Sequence, residues 1–507
     1  MSEAVAVIDI GMTNKKVAVY DRSLRLLESD SRTFAPLIVE GLETHDLAGM
    51  EAWFLDRLGA FSRRFDLGAL AVTTHGATMV CVDEGGRACA PCVYYTHEPG
   101  TEFQERFYAL VGDRIELQAR TGTPPLSAMI NPSKGLLFLK ERFPEAFSRA
   151  RTVLNYPQYW GLRLTGRSGA EGTYTGCHTY LWDWEAGRYS SVAEKLGVAE
   201  MLPHPLRDSW EVLGAIKSEI AARTGLPASL LVTMGIHDSN ASLLPHLAKG
   251  RGKDFVLNST GTWCVLMHPQ DRFGFEKGEL GKVVFFNRSA YNAPVKTAIF
   301  LGGMEYEAWR RAIGSASSFV PDRVGDAVYA SVAASASELV LPELVPGSGQ
   351  FPGSAPRAVQ DGREYALADI ESGRSVPPFM RDGERALAAL NLSLALQTMV
   401  ALGRAGLAAG TEVYGEGGFR RNSGYNAALA ALLAEDGRGR GYWLTDMAEA
   451  TSFGAAMTAV AALEGVEPGA LGDRFEIEYA KVRPMDAPGG LGKYSAAWLA
   501  AVDGGRA

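Results

Sequence analysis

Cysteine is scarce in this chain, with five in 507 residues, which excludes the disulfide framework of a small secreted domain. Only Cys89 and Cys92 have C-x-x-C spacing. They flank the return strand of an expected hairpin over 80–89, away from any helix N-terminus that would activate a thiol. No second ligand pair completes a zinc site, so they read as buried structural thiols. Strongly basic stretches are also missing. The formal charge is −8, and basic pairs such as Arg63-Arg64 and Arg420-Arg421 stand alone, which argues against a nucleic-acid partner. No apolar stretch approaches the roughly 20 residues of a membrane-spanning helix. The N-terminus enters a strand within four residues, without a basic and apolar leader. The expectation is a cytoplasmic protein with no membrane partner.

What is present is an ordinary globular composition, 47% hydrophobic and 21% charged, in a chain long enough for two to four domains. Its opening run carries the most information. An apolar strand ends at Asp9-x-Gly11, turns through Thr13 and Asn14, and returns as a second alternating strand containing Lys16. Such a turn leaves backbone N–H groups and short polar side chains around one concave spot, which suits phosphate oxygens. Asp9 beside it suits a Mg²⁺ held through water. The plainer reading is a β-hairpin with a buried Asp-Gly turn.

Three strands are expected over 4–30, a helix near 47–65, and strands around 69–74, 78–83 and 92–96. Arg223–Pro227 reads as the approach to a hinge. A second strand–turn–strand follows at 254–267, with Ser259, Thr260, Gly261 and Thr262 in its turn. Helices near 383–406, 422–435 and 449–464 alternate with strands at 411–414 and 441–445. The two halves therefore start alike, and two such loops facing across a cleft would clamp a polyphosphate from both sides.

Four segments in this order resemble the FGGY carbohydrate kinases, within the actin-like, sugar-kinase and heat-shock ATPase superfamily. Asp9-x-Gly11-x-Thr13-Asn14-x-Lys16 looks like the first phosphate loop. Gly235 to Ala241, with Asp238, looks like the segment of the catalytic aspartate, and Ser259–Thr262 like the second phosphate loop. Gly417-Gly418 to Asn422, followed by Glu449–Ala456, looks like the adenosine motif and its helix. The resemblance covers about residues 4–465. It implies an α/β fold of two actin-like, ribonuclease-H-like domains with an interdomain cleft. Residues 1–232 would bind sugar, 233–465 nucleotide, and 466–507 would pack on the body as an extension.

The resemblance further implies ATP and Mg²⁺ as cofactors, Asp9 as the metal residue and Asp238 as the general base. Gly11, Thr13, Asn14, Lys16, Gly261 and Thr262 would contact phosphate. Gly302, Gly417, Gly418 and Asn422 would contact adenosine. The family more often has a hydroxyl residue where Met12 stands, so one phosphate contact is lost. Each assignment has a plainer counterpart: Asp238 as a helix cap, Lys16 as a solvent-facing strand residue, His75 as a structural imidazole.

Sugar contacts are expected from His75, His97, Glu98, His237 and Asp238. His75 stands in Thr73-x-His75-Gly76, where ketose-specific members carry Gln-x-His-Gly. The run Tyr95 to Pro99 matches the family's Trp-x-Asp-x-Arg without its arginine, which counts against glycerol and the commonest pentuloses. The run from Ser259 to Met267 looks most like rhamnulose- and fuculose-kinase members. A 6-deoxy-ketohexose such as L-rhamnulose or L-fuculose is thus the leading acceptor, ahead of pentuloses and four-carbon polyols or ketoses. The aromatic segment from Tyr156–Trp160 to Trp182–Trp184 is a candidate wall for its methyl group, or else core. A homodimer is allowed for. The competing readings are a catalytically silent sugar or nucleotide sensor, and a Rossmann oxidoreductase, which the missing G-x-G-x-x-G turn disfavours.

Overall fold

Strand β1 (Ala4–Ile10) is apolar on both faces, and both faces are covered. A computed structural model describes residues 3–250, 253–439, 441–486 and 490–503. The principal elements are numbered in chain order. β2 (Asn14–Tyr20) and β3 (Leu26–Thr33) run antiparallel from β1, α1 (Leu47–Ser62) follows, and β4 (Leu67–Thr74) returns parallel to β1. After α2 (Tyr156–Thr165), the strands β5 (Val212–Ala215), β6 (Leu231–Thr233) and β7 (Ile236–His237) complete the sheet. Its order is β5-β6-β4-β1-β2-β3, with β7 also beside β4.

The period of two along β1 decides which residues go where. Ala4, Ala6, Ile8 and Ile10 meet α1 and α2 through Phe54, Leu58, Tyr156 and Trp160. Val5 and Val7 point to the other face, against α3 (Asp238–Ala248) and a helix from far along the chain.

The second sheet repeats the plan. β8 (Phe255–Thr260) and β9 (Cys264–Pro269) form an antiparallel pair, and β10 (Val284–Arg288) and β11 (Pro294–Phe300) extend it. Helix α4 (Gly302–Ser317) and the long α5 (Gly383–Arg404) precede β12 (Glu412–Gly417), which lies parallel to β8. Then come α6 (Ser423–Asp436), β13 (Gly441–Thr445), α7 (Ala450–Glu464) and the edge strand β14 (Tyr479–Lys481). The order β10-β11-β9-β8-β12-β13-β14 matches the first sheet around its central hairpin and parallel strands.

Helix α3 lies between the two sheets. Ala241 and Leu244 face the first, and Leu243 faces the second beside Leu257 and Met267. Helix α7, although it follows the second sheet in sequence, packs on the first through Ala455, Ala456, Ala459 and Val460. The two helices cross where Gly454 meets the Ala241 carbonyl, with no room for a Cβ.

Several expectations need correction. Residues 92–96 form no strand, because Val93 makes a single bridge to Thr44. The 80–89 hairpin is likewise reduced to one bridge, Val82 to Ala88, because Met79–Val82 pairs with Thr152–Asn155 instead. Cys89 and Cys92 are unpaired, and burial pushes the Cys92 thiol up to about 12. Arg223–Pro227 runs off the end of a helix. Gly225 ends the helix Ser218–Thr224, and Thr224 abuts Gly59 of α1. Helix α5 is long and apolar enough to cross a membrane, contrary to expectation, yet its most apolar window is 83% buried within the protein. Position 233, the expected start of the second domain, is the last residue of β6, and β7 beyond it also belongs to the first sheet. Beyond 465, β14 joins the second sheet, and in α8 (Leu491–Asp503) Trp498 donates to the Val340 carbonyl at 2.7 Å.

A methyl group at Gly454 must force α3 and α7 apart. Gly454→Ala is therefore expected to lower stability by about 1–3 kcal/mol despite the better helix propensity of alanine. A denaturation midpoint equal to that of the native chain would contradict the close crossing.

Candidate active site

The first loop is set by the β1–β2 hairpin. Asp9 pairs across the strands with Lys16 and lies beside Thr73 of β4. Burial pushes its carboxyl up to about 7, and Asp238 and Glu449 add to the rise while Lys16 opposes it. Lys16 is held in an ion pair with Glu449, the residue preceding α7. Gly11 and Met12 are half-buried, whereas Thr13 and Asn14 are exposed at the rim, where Asn14 accepts from the Thr33 hydroxyl at 2.9 Å. Beneath the turn, buried Lys15 donates to the Met12 carbonyl at 2.8 Å. Three nearby carboxylates offer hard oxygen donors that fit a Mg²⁺, and a divalent cation would relieve the repulsion that raises Asp9.

Asp238 opens α3 directly after β7, whose His237 lies beside Thr74 of β4. The His237 N–H donates to the Thr173 hydroxyl at 3.0 Å, and that hydroxyl donates to buried Glu171 at 2.8 Å. This chain of bonds holds the segment against the sheet. Asp238 Oδ1 accepts from the Ser239 N–H at 2.6 Å and lies 3.3 Å from His237 Nε2. Burial nevertheless raises its carboxyl to about 6. A half-buried carboxylate with that value can accept a proton near neutral pH.

The second loop faces the first. Gly261 and Thr262 line a cavity of about 360 Å³ together with Met12, His75, His237 and Asp238. The backbone is close-packed here. A Cβ at Gly303 would collide with the Gly261 carbonyl, and one at Gly417, whose φ is +82°, with the Thr260 carbonyl. Gly417 and Ala448 also line a neighbouring groove of about 800 Å³ that includes Gly418, Arg420 and Arg421, so the cavity and groove adjoin. Gly302 is packed on Cys264 at the start of α4. The Asn422 side chain caps α6 through the Tyr425 N–H at 3.0 Å and donates to Asn391 at 2.8 Å. Neither residue lines either space.

The acceptor end of the cavity differs from expectation. His97 packs on Phe138, with ring centroids 5.2 Å apart, and Glu98 braces a loop by accepting from Gly100, Gln104 and Ala128. Neither reaches the cavity. The 156–184 aromatics do not wall it either: Tyr156 and Trp160 are core, and Trp184 stacks on Phe273. The apolar wall comes instead from Tyr95 and Ile130 of the first half and Trp263, Phe285 and Ile299 of the second. The opposite polar edge is His75, Cys177, His178 and His237. Burial lowers His75 to about 4 and His178 and His237 to about 3, so all three imidazoles are neutral. Sequence reading missed Cys177 and His178. Their adjacency was the available signal, because eight histidines serve the whole chain.

Comparison with known proteins finds two family models in succession. The N-terminal domain of the FGGY family of carbohydrate kinases matches residues 4–245, and the FGGY carbohydrate kinase C-terminal domain matches residues 252–468. An L-fuculokinase of Salmonella typhi is 24% identical over 279 residues, 52% of this chain and 56% of that protein. An L-xylulose/3-keto-L-gulonate kinase of Escherichia coli K12 is 33% identical over 140 residues, 27% of each. The matches thus span about half or less of these curated relatives. The crystal structure of a carbohydrate kinase from Novosphingobium aromaticivorans is 27% identical with a TM-score of 0.78, covering 100% of both chains.

The electrostatics can be tested directly. Lys16→Met is expected to move the Asp9 titration above about 7, and Asp238→Asn to move it below, measured by carboxyl carbon NMR. Shifts of the opposite sign would show that the two groups do not share a field with Asp9.

Proposed function

Since this chain belongs to the FGGY family of carbohydrate kinases, we propose that it transfers the γ-phosphoryl group of ATP to a hydroxyl of a neutral ketose. The observation that carries the reading is the position of Asp238. It stands at the start of α3, in the same cavity as the Gly261–Thr262 loop. In the proposed reaction Asp238 accepts the proton of the attacking hydroxyl, while the two loops hold the phosphates in line. Positioning and charge neutralisation supply most of the acceleration in such transfers. Adenosine is assigned to the groove of Gly417 and Gly418, which leads into the cavity at Gly417. Asp9, with Asp238 and Glu449 nearby, would hold the Mg²⁺ that neutralises the phosphate charge. The bond from oxygen to γ-phosphorus forms as the β–γ bridge breaks, and ADP leaves.

A neutral acceptor follows from the lining. Among the described residues no lysine or arginine borders the cavity, whereas Asp238 and Glu416 do. The carboxylate of a sugar acid would be buried unpaired beside like charge, at a cost of several kcal/mol. This separates the chain from the gulonate named for its Escherichia coli relative. Neutral imidazoles serve hydroxyls and a carbonyl as donors or acceptors. The wall of Ile130, Phe285 and Ile299 suits a methyl group, which favours a 6-deoxy-ketohexose such as L-rhamnulose or L-fuculose over a pentulose. Exclusion of water by that wall protects the γ-phosphate from hydrolysis.

The test is ADP release with MgATP over a panel of ketoses, polyols and sugar acids. Turnover is expected with a neutral ketose, and Asp238→Asn should lower kcat by about 10²–10⁴. Undiminished turnover in that variant would remove Asp238 as base. No turnover with any sugar, with ATP still bound, would favour the sensor. The pH profile has a definite sign. The carboxyl is protonated below about 6, so kcat/KM should fall tenfold per pH unit there and level off above. A profile flat down to pH 4 would contradict the assignment.

A further inference from the structure

Phosphoryl transfer leaves Cys177 and His178 unassigned, although both face the acceptor end of the cavity. They follow the short helix Gly172–Thr175, and His237 ends β7 directly opposite. The Cys177 sulfur and one ring nitrogen from each histidine lie within 4.8 Å of one another. Two further observations point to a ligand between them. Gly76 leaves the intervening space empty: a Cβ there would stand 2.7 Å from His237 Nε2 and 3.1 Å from His178 Nε2. His178 is 9% exposed, and its buried Nδ1 meets no side-chain partner among the described residues, the backbone of Ile130 and of His178 itself being the ring's hydrogen-bonding neighbours.

We propose that Cys177, His178 and His237 bind a zinc-class divalent cation that excludes sugar from the cavity. One thiolate and two imidazoles are the donor set of a borderline-soft d¹⁰ ion and not of Mg²⁺, which prefers oxygen. Zinc–sulfur bonds of about 2.3 Å and zinc–nitrogen bonds of about 2.0–2.1 Å give tetrahedral edges of roughly 3.3–3.8 Å. The 4.8 Å spread exceeds this by up to about 1.5 Å, so side-chain rotation must close the set. Asp238 stands beside the set, its Oδ1 3.3 Å from His237 Nε2. Binding releases the Cys177 proton to solvent and involves no change of oxidation state. An ion here takes His237 from the sugar and draws Asp238 away from the reacting hydroxyl. Zinc therefore competes with the acceptor, whereas Mg²⁺ is centred on Asp9, which is not among the three zinc ligands.

The experiment uses the full chain, freed of metal, without ATP, titrated with Co²⁺ as a spectroscopic substitute and then with Zn²⁺. One cobalt per chain is expected, with tetrahedral visible bands and a thiolate-to-cobalt charge-transfer band that Zn²⁺ bleaches. Cys177→Ser should remove the charge-transfer band, and His178→Gln should weaken cobalt binding at least tenfold. Cys81→Ser and Cys89→Ser, remote from the cavity, should retain both features. Circular dichroism of each variant verifies its fold, and the two site variants test the set independently. Absence of a thiolate band at saturating cobalt would overturn the proposal, as would its persistence in Cys177→Ser. None of these readouts depends on turnover, so they stand apart from the kinase assignment. Where turnover is measured, zinc should raise the apparent KM for sugar and leave that for ATP unchanged; inhibition competitive with ATP alone would refute the shared position.

Discussion

The backbone contact between Gly454 and Ala241 is the constraint on which the site depends. Asp238 begins α3 three residues before Ala241, and Glu449 precedes α7 five residues before Gly454. At 1.5 Å of rise per residue these lie about 4.5 and 7.5 Å along their axes from the crossing. Small changes in crossing angle therefore move either carboxylate little, whereas a change in separation moves both. Because α3 also touches both sheets, Asp238 rides on an element shared by the two halves. Proximity of base and phosphate loops is thus a packing property of small residues before it is a property of polar ones.

That packing forces like charges together. Asp238 and Glu449 both raise the carboxyl of Asp9, and Lys16 is the cation that opposes them. Folding supplies the surplus energy needed to hold such a group in a partly buried place. The arrangement is a standing demand for positive charge, and a divalent ion meets it better than a second lysine, whose stem would fill the cleft. The imidazoles beside it, His75, His178 and His237, are neutral and leave that demand unmet.

The architecture was legible where chemistry and period coincide. The alternation of β1, the Asp-x-Gly turn and its counterpart at Ser259–Thr262 identified two equivalent sheets, and Asp238 stood out because an acidic residue follows an apolar strand and opens a helix. The rest required tertiary contacts. Nothing local to 92–96 reveals that Thr44 takes its single bridge, or that Glu98 spends its carboxylate on three donors. Tyr156 and Trp160 have the composition of a binding wall, but α2 turns them to the face of β1 that carries Ile8 and Ile10. Residues Ile130, Phe285 and Ile299 form the actual wall because segments more than a hundred residues apart converge, which no window of sequence contains. Lys15 was passed over for its neighbour because a buried lysine beneath a turn looks, in sequence, like any other strand residue.

That wall has a further consequence. Tyr95 and Ile130 are encoded in the first half of the chain, and Trp263, Phe285 and Ile299 in the second. Neither half alone holds the pattern that recognises the apolar side of an acceptor. Exchanging one half with a relative's would pair mismatched surfaces around the sugar. In descent, a new acceptor preference demands matched changes in two separate stretches of the gene, and exchange of a single half scrambles selectivity.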